Sequence, residues 1–276
     1  MKPLRVLVAA AFFVLAGFFA LAPAALSASP AAPSTPEQAF SRTLFEAEKG
    51  SAEALITLGG FYAEGFGVQK NYSRARECYE KAARAGLAEG LYNVGVCWEY
   101  GMGSEANPAR AAEYFRRAAE MNLPQALFKM SLILDSGSGV GRDEKASVDC
   151  MARAAAAGHP EAAAIMGVVY LNGLRGQKKD AEEGLKMLKI AASSGSAEAM
   201  KNIAVVYKDG IGGIKASPSD ALKWYVTAEK CGYPAEALSA VTAGLRGKLS
   251  AGERKKAEAE ADAWIKENLG VTVRTP

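Results

Sequence analysis

The sequence predicts an all-α fold, an α/α solenoid built from stacked helix pairs. Three observations predict it. Phrases such as Ser-Ala-Glu-Ala, Leu-Pro-Gln-Ala and His-Pro-Glu-Ala close at positions 54, 90, 126, 162, 199 and 237, a period of 36–38 residues. Glycines recur in the middle of each period, and a column of helix-capping residues follows them. A supersecondary unit of this length buries one face only against its neighbours, so several must stack to form a continuous core.

The first helix of each unit follows its marker phrase. One column holds Leu58, Val94, Met130, Met166 and Ile203, and the next holds Gly59, Gly95, Ser131, Gly167 and Ala204. Three residues further on stand Tyr62, Trp98, Leu134, Tyr170 and Tyr207. Apolar residues four apart with a small one between them define a helix face with a point of close approach. Glycine loops end this helix: Gly65-x-Gly67, Gly101-x-Gly103, Gly137-x-Gly139, Gly173 with Gly176, and Gly210-x-Gly212.

The second helix opens at Asn71, Asn107, Asp143, Asp180 and Ser217, whose side-chain oxygens can accept from backbone N–H groups that have no helical partner. Pro108 and Pro218 stand just inside, where no N–H is needed. Ala75, Cys78, Tyr79, Ala82 and Ala83 form its first buried stripe, and the Tyr79 column continues as Phe115, Met151, Leu188 and Tyr225. The helix stops at Gly86, Asn122, Gly158, Gly195 and Gly232, residue types that tolerate a left-handed C-terminal conformation.

These signals place full units at 51–86, 87–122, 123–158, 159–195 and 196–232, with a partial unit at 233–268. Before them, residues 36–49 read as a lone second helix with Thr35 as cap, Pro36 at the first position, Gln38 closing a capping box, and Phe40, Leu44 and Ala47 inward. After them, residues 235–246 read as a shortened first helix. A final helix, opened by a Ser250–Glu253 capping box, turns Ala257, Ala261, Trp264 and Ile265 to the array. Residues 28–35 read as a linker and 269–276 as a tail.

The series Ala54, Leu58, Gly59, Tyr62, Gly65, Gly67, Val68, Ala82, Ala83 and Gly86 resembles the Sel1-like repeat, and the likeness extends over residues 36–268. The resemblance implies a right-handed superhelix that scaffolds protein complexes, and, for exported bacterial members, envelope or signalling regulators. Two departures bear on local packing: Leu-Arg-Gly in the fourth loop, and Glu229 where the fifth unit should have its second alanine.

Lys2, Arg5, the apolar run Val6 to Ala22 and the Ala25-Leu26-Ser27 site match a secretory signal over residues 1–27, so the chain is expected to be periplasmic or secreted. The alternative is an uncleaved N-terminal anchor in the inner membrane, its only membrane contact. The whole chain has a net charge of +3, and the two basic residues of the signal account for most of it. The remaining surface is near neutral and argues against nucleic acid as a partner.

The chemistry is sparse. No serine has a lysine three residues on, there is no Lys-Thr-Gly, and His159 is the only histidine. Serine β-lactamase machinery and paired-histidine metal sites are therefore missing by motif, and His159 reads as part of an inter-repeat turn. The glycine loops lack the phosphate-binding patterns and stand between helices. No catalytic residue, metal ligand or cofactor is expected. Of the four cysteines, Cys78 and Cys97 are the one local pair a disulfide could join, the bland reading being two buried thiols.

A protein or peptide partner is the expected ligand, held on a concave face lined by first helices. Three columns there vary in chemistry: Thr57/Asn93/Lys129/Ile165/Asn202, Glu64/Tyr100/Ser136/Asn172/Asp209 and Ile56/Tyr92/Phe128/Ala164/Lys201. Tyr92, Asn93, Tyr100, Phe128, Lys129 and Asn202 are the candidate contacts, combining aromatic anchors with amide and cationic groups. The alternative function is an envelope ligand binder or weak hydrolase of cell-wall or β-lactam-like compounds, which a deep, acid-lined pocket would favour.

Overall fold

The computed structural model describes residues 35–270. The expected signal (1–27), nearly all of the linker and most of the tail lie outside them. Among the described residues all regular structure is helical, in thirteen α-helices and one short 3₁₀ turn, Ile211–Gly213. Apart from α1 (Pro36–Glu48), the first helices of the units are α2 (Ala52–Glu64), α4 (Ala88–Tyr100), α6 (Pro124–Ser136), α8 (Pro160–Asn172) and α10 (Ala197–Asp209). Their second helices are α3 (Tyr72–Arg84), α5 (Pro108–Glu120), α7 (Glu144–Ala156), α9 (Ala181–Ser193) and α11 (Pro218–Lys230). The chain closes with α12 (Ala235–Lys248) and α13 (Ala251–Leu269). None of these helices is long and apolar enough to cross a membrane.

Each second helix packs on its own first helix and on the first helix of the next unit, which makes two layers with the core between them. The five predicted caps form as read: the side chains of Asn71, Asn107, Asp143, Asp180 and Ser217 each accept from the N–H three residues on. Each such bond stabilises its helix by about 1 kcal/mol. Thr35 caps α1 in the same way, and Ser250 with Glu253 completes the capping box of α13.

The small-residue column explains how closely the layers approach. A methyl group at Gly59 would collide with the Tyr79 ring, and one at Gly95 would stand 2.8 Å from Phe115. In the third unit Ser131 replaces glycine and its partner becomes the more pliable Met151, with Ser131 Oγ 3.8 Å from the sulfur. Gly167 meets Leu188 in the same manner. In the first four units a small residue and a large one are thus paired across the layers.

Three details differ from the expectation. The fourth loop keeps the path of the others although Arg175 stands where they have their second glycine: Arg175 takes φ 53°. Its guanidinium pairs with Asp135 and lies 3.9 Å from Glu144, contacts that offset the cost of a left-handed side-chain residue. Next, α12 is not shortened. It is the longer by one residue, and much of it is exposed. Finally, the partial unit does not close as a pair, because α13 packs chiefly on α11 and not on α12. Trp224 and Trp264 meet edge to face at 5.0 Å, and Lys223 and Lys230 pair with Glu260 and Asp262. Glu229 is exposed, so its replacement of alanine carries no packing cost.

Candidate functional site

On the first-helix layer, positions i, i+3 and i+7 share a face, so Asn93, Val96 and Tyr100 of α4 align with Lys129, Leu132 and Ser136 of α6. The row continues through Ile165, Val168 and Asn172 of α8, and Asn202, Val205 and Asp209 of α10. Its centre is apolar: Leu132 is 42% and Ile165 38% exposed, with Val96, Val168 and Val205 half-buried beside them. The Val96/Leu132/Val168/Val205 column was missing from the sequence-based candidates. Its signal was available, because a run of branched residues on a solvent-facing column is itself unusual.

The six named candidates fall into two groups. Tyr92, Phe128 and Lys129 already serve the solenoid. Tyr92 packs on Phe115 with ring centroids 5.3 Å apart, and burial raises its hydroxyl pKa. Phe128 stacks at 4.3 Å on His159 of the next unit, and Lys129 pairs with Glu99 of the preceding first helix at 2.9 Å. Phe128 and Lys129 thus tie consecutive units together, and Tyr92 ties the two helices of its own unit. Tyr100 is 48% exposed, and Asn93 and Asn202 are half-buried; no hydrogen bond of either amide occurs among the described residues.

His159 does more than occupy a turn. It is the N-cap of α8: Nδ1 accepts from the Ala162 N–H at 3.4 Å. The same nitrogen lies 3.3 Å from Glu161 Oε2. The two contacts need opposite protonation states. Burial lowers the imidazole pKa, which favours the neutral cap over the ion pair.

Cys78 and Cys97 stand as free thiols in the structure, as do Cys150 and Cys231. Cys78 and Cys97 are buried in one apolar cluster with Tyr79 and Val94. Burial pushes the Cys97 thiol up to about 11 and raises Cys78 as well, which suits inert core residues and not nucleophiles. No group of His, Cys, Asp or Glu able to hold a metal occurs among the described residues.

On the second-helix layer the structure opens a groove of about 890 Å³. Lys186, Lys189 and Ile190 of α9 form one wall, Trp224 of α11 and Trp264 of α13 the other, with Tyr207 and Ile214 also lining it. It is broad and largely apolar, unlike a deep acidic cleft.

The family model of the Sel1 repeat matches residues 52–87, 88–123, 124–159, 160–196 and 197–233, about two thirds of the chain. The chain belongs to the Sel1 repeat family. A Sel1 repeat protein from Oxalobacter formigenes is similar at 28% identity and a TM-score of 0.63, over 83% of this chain and 94% of that one. A protective antigen of uropathogenic Escherichia coli with an SLR fold is 24% identical with a TM-score of 0.61, over 83% of this chain. The match takes in 48% of the antigen, so the chain spans about half its length. No curated protein matches significantly. Members of the Sel1 repeat family are typically protein-interaction scaffolds, generally without enzymatic activity.

Proposed function

We propose that this Sel1 repeat protein is an exported scaffold or regulator that captures a protein or peptide partner on its first-helix face. The observation that carries the reading is the exposed apolar row through Leu132 and Ile165, bordered by the amides of Asn93 and Asn202 and by Tyr100. An apolar centre with a polar border that can give and accept hydrogen bonds is the usual anatomy of a protein interface. Export to the periplasm or beyond rests on the pattern of residues 1–27 alone.

The test is a double substitution, Leu132→Asp with Ile165→Asp, in the chain expressed in its own envelope. Both side chains are partly exposed, so the fold is expected to persist by circular dichroism. Affinity capture with this variant should lose the proteins that the unaltered chain retains. Retention of the same proteins would remove the first-helix face from consideration.

A further inference from the structure

The second-helix groove lies on the other layer of the molecule from the face just described, and α13 shows what its walls accept. That helix lies along α11 with Ala257, Ala261 and Ile265 buried, while Glu260 and Asp262 on its flank meet Lys223 and Lys230. Since α9 and α11 occupy equivalent places in consecutive units, Lys186 corresponds to Lys223 and Ile190 to Thr227. The α9 wall holds the place in its unit that the α13-bearing surface holds in the next: it keeps a lysine at Lys186, has Met187 for Trp224 and Ser193 for Lys230, and faces the open groove.

Side-chain chemistry follows the same logic. On α11, Val226 and Thr227 are buried. The equivalent positions of α3 and α5 hold Glu80 with Lys81 and Arg116 with Arg117, as suits helix faces in water. α9 stands between these cases: Lys189 is exposed, while Ile190 is apolar, half-buried and turned into the groove. Lys189 has no ion-pair partner among the described residues, and Lys186 reaches only Glu183 of its own helix, at 3.1 Å. The α9 lining runs from Glu182 to Ser193, three helical turns or about 16 Å.

We propose that the α9 wall is a docking site for an amphipathic helix of a partner protein. That helix has small or branched apolar residues on one face and carboxylates along its flank, and it lies on α9 as α13 lies on α11. Its carboxylates meet Lys186 and Lys189, and Trp264 forms the edge against which it abuts.

The probe is a fluorescein-labelled synthetic peptide of residues 251–269, which carries the required pattern, titrated against the full chain by fluorescence anisotropy. Saturable binding is expected. Ile190→Asp should weaken it by about tenfold or more, as loss of a central apolar anchor does. Lys186→Glu, at an exposed position that cannot endanger folding, should weaken it less, and a peptide with Glu260 and Asp262 replaced by Lys should fail to bind. Leu132→Asp on the other layer should leave binding unchanged, which separates this site from the first-helix face. Absence of saturable binding would overturn the proposal, as would binding indifferent to Ile190→Asp. Binding that responds only to Lys230→Glu would mean displacement of the chain's own α13, and a dimer dissolved by Ile190→Asp would make the occupant a second copy. Either result overturns the assignment to a partner helix.

Discussion

Two gaps in the second-helix layer, one near each end of the molecule, share a backbone and differ in what fills them. Between α3 and α5 the floor is Trp98; between α9 and α11 it is Tyr207 of the same column. Over Trp98 lie two guanidiniums, Arg76 at 5.1 Å and Arg110 at 4.6 Å from the ring centroid. The equivalent positions over Tyr207 hold Leu185 and Asp220, and the gap stands open as a groove. The repeat dictates where a gap lies, and the side chains over its floor together with the placement of α13 set what fills it. Function in such an array therefore resides in the columns that break the pattern, since those that keep it maintain the stack.

The largest expected effect tests whether the two ends share their foundations. Phe115→Ala beneath the first gap and Tyr225→Ala beneath the second remove large buried rings of one column, 0% and 3% exposed. Each should cost about 3–5 kcal/mol in denaturant unfolding. A far smaller loss at Tyr225 would show that the terminal unit is the more loosely packed, and would break the equivalence.

A smaller effect sharpens the contrast between filled and open. Arg110→Ala should cost about 0.5–1 kcal/mol through its lost stacking on Trp98, and should increase acrylamide quenching of that indole. The reverse change, Asp220→Arg, should close the groove over Tyr207 and weaken the 251–269 peptide. Unchanged quenching and unchanged peptide binding would mean that the arginines are incidental.

Arg175→Gly should change stability by less than about 1 kcal/mol, because relief of the positive φ is offset by loss of the Asp135 and Glu144 contacts. Thermal unfolding would check it; a gain of several degrees would show the ion pairs to be worthless. Last comes pH. Burial holds the folded pKa of His159 below its ordinary value, so its cap contributes fully above about pH 6.5 and is lost as pH falls through the folded value. The midpoint of unfolding should therefore fall as the pH drops below about 6.5, and His159→Ser, the residue that caps α2 and α10, should flatten that fall.

How legible these features were depends on their range. The caps at Asn71 to Ser217 and the stops at Gly86 to Gly232 are local, decided by a few bonds within one turn, and the sequence shows them directly. A close approach at the Gly59 column was also visible, because a small residue in an apolar face marks one, but that the Tyr79 column meets it came only with the structure. Tyr92 and Phe128 were harder. Periodicity places a ring on a helix face but not against Phe115 or His159, which belong to other elements. The fold-back of α13 onto α11 was not legible at all. Its apolar face fits either neighbour, and the choice is made by Lys223, Lys230 and Trp224 at a distance in sequence. The groove over Tyr207 follows from that choice and from the missing arginines, so it could not be read before the helices were placed.

The central claim is that an exposed apolar row on the first-helix layer receives a protein. Its most direct test is site-specific photo-cross-linking in the native envelope, with a photoreactive residue at Leu132 and a control at Arg116, an exposed position on the other layer. The account predicts a discrete cross-linked protein from position 132 that is absent from position 116 and lost when Asn93 is replaced by alanine. No adduct from position 132, or the same adducts from both positions, would contradict it.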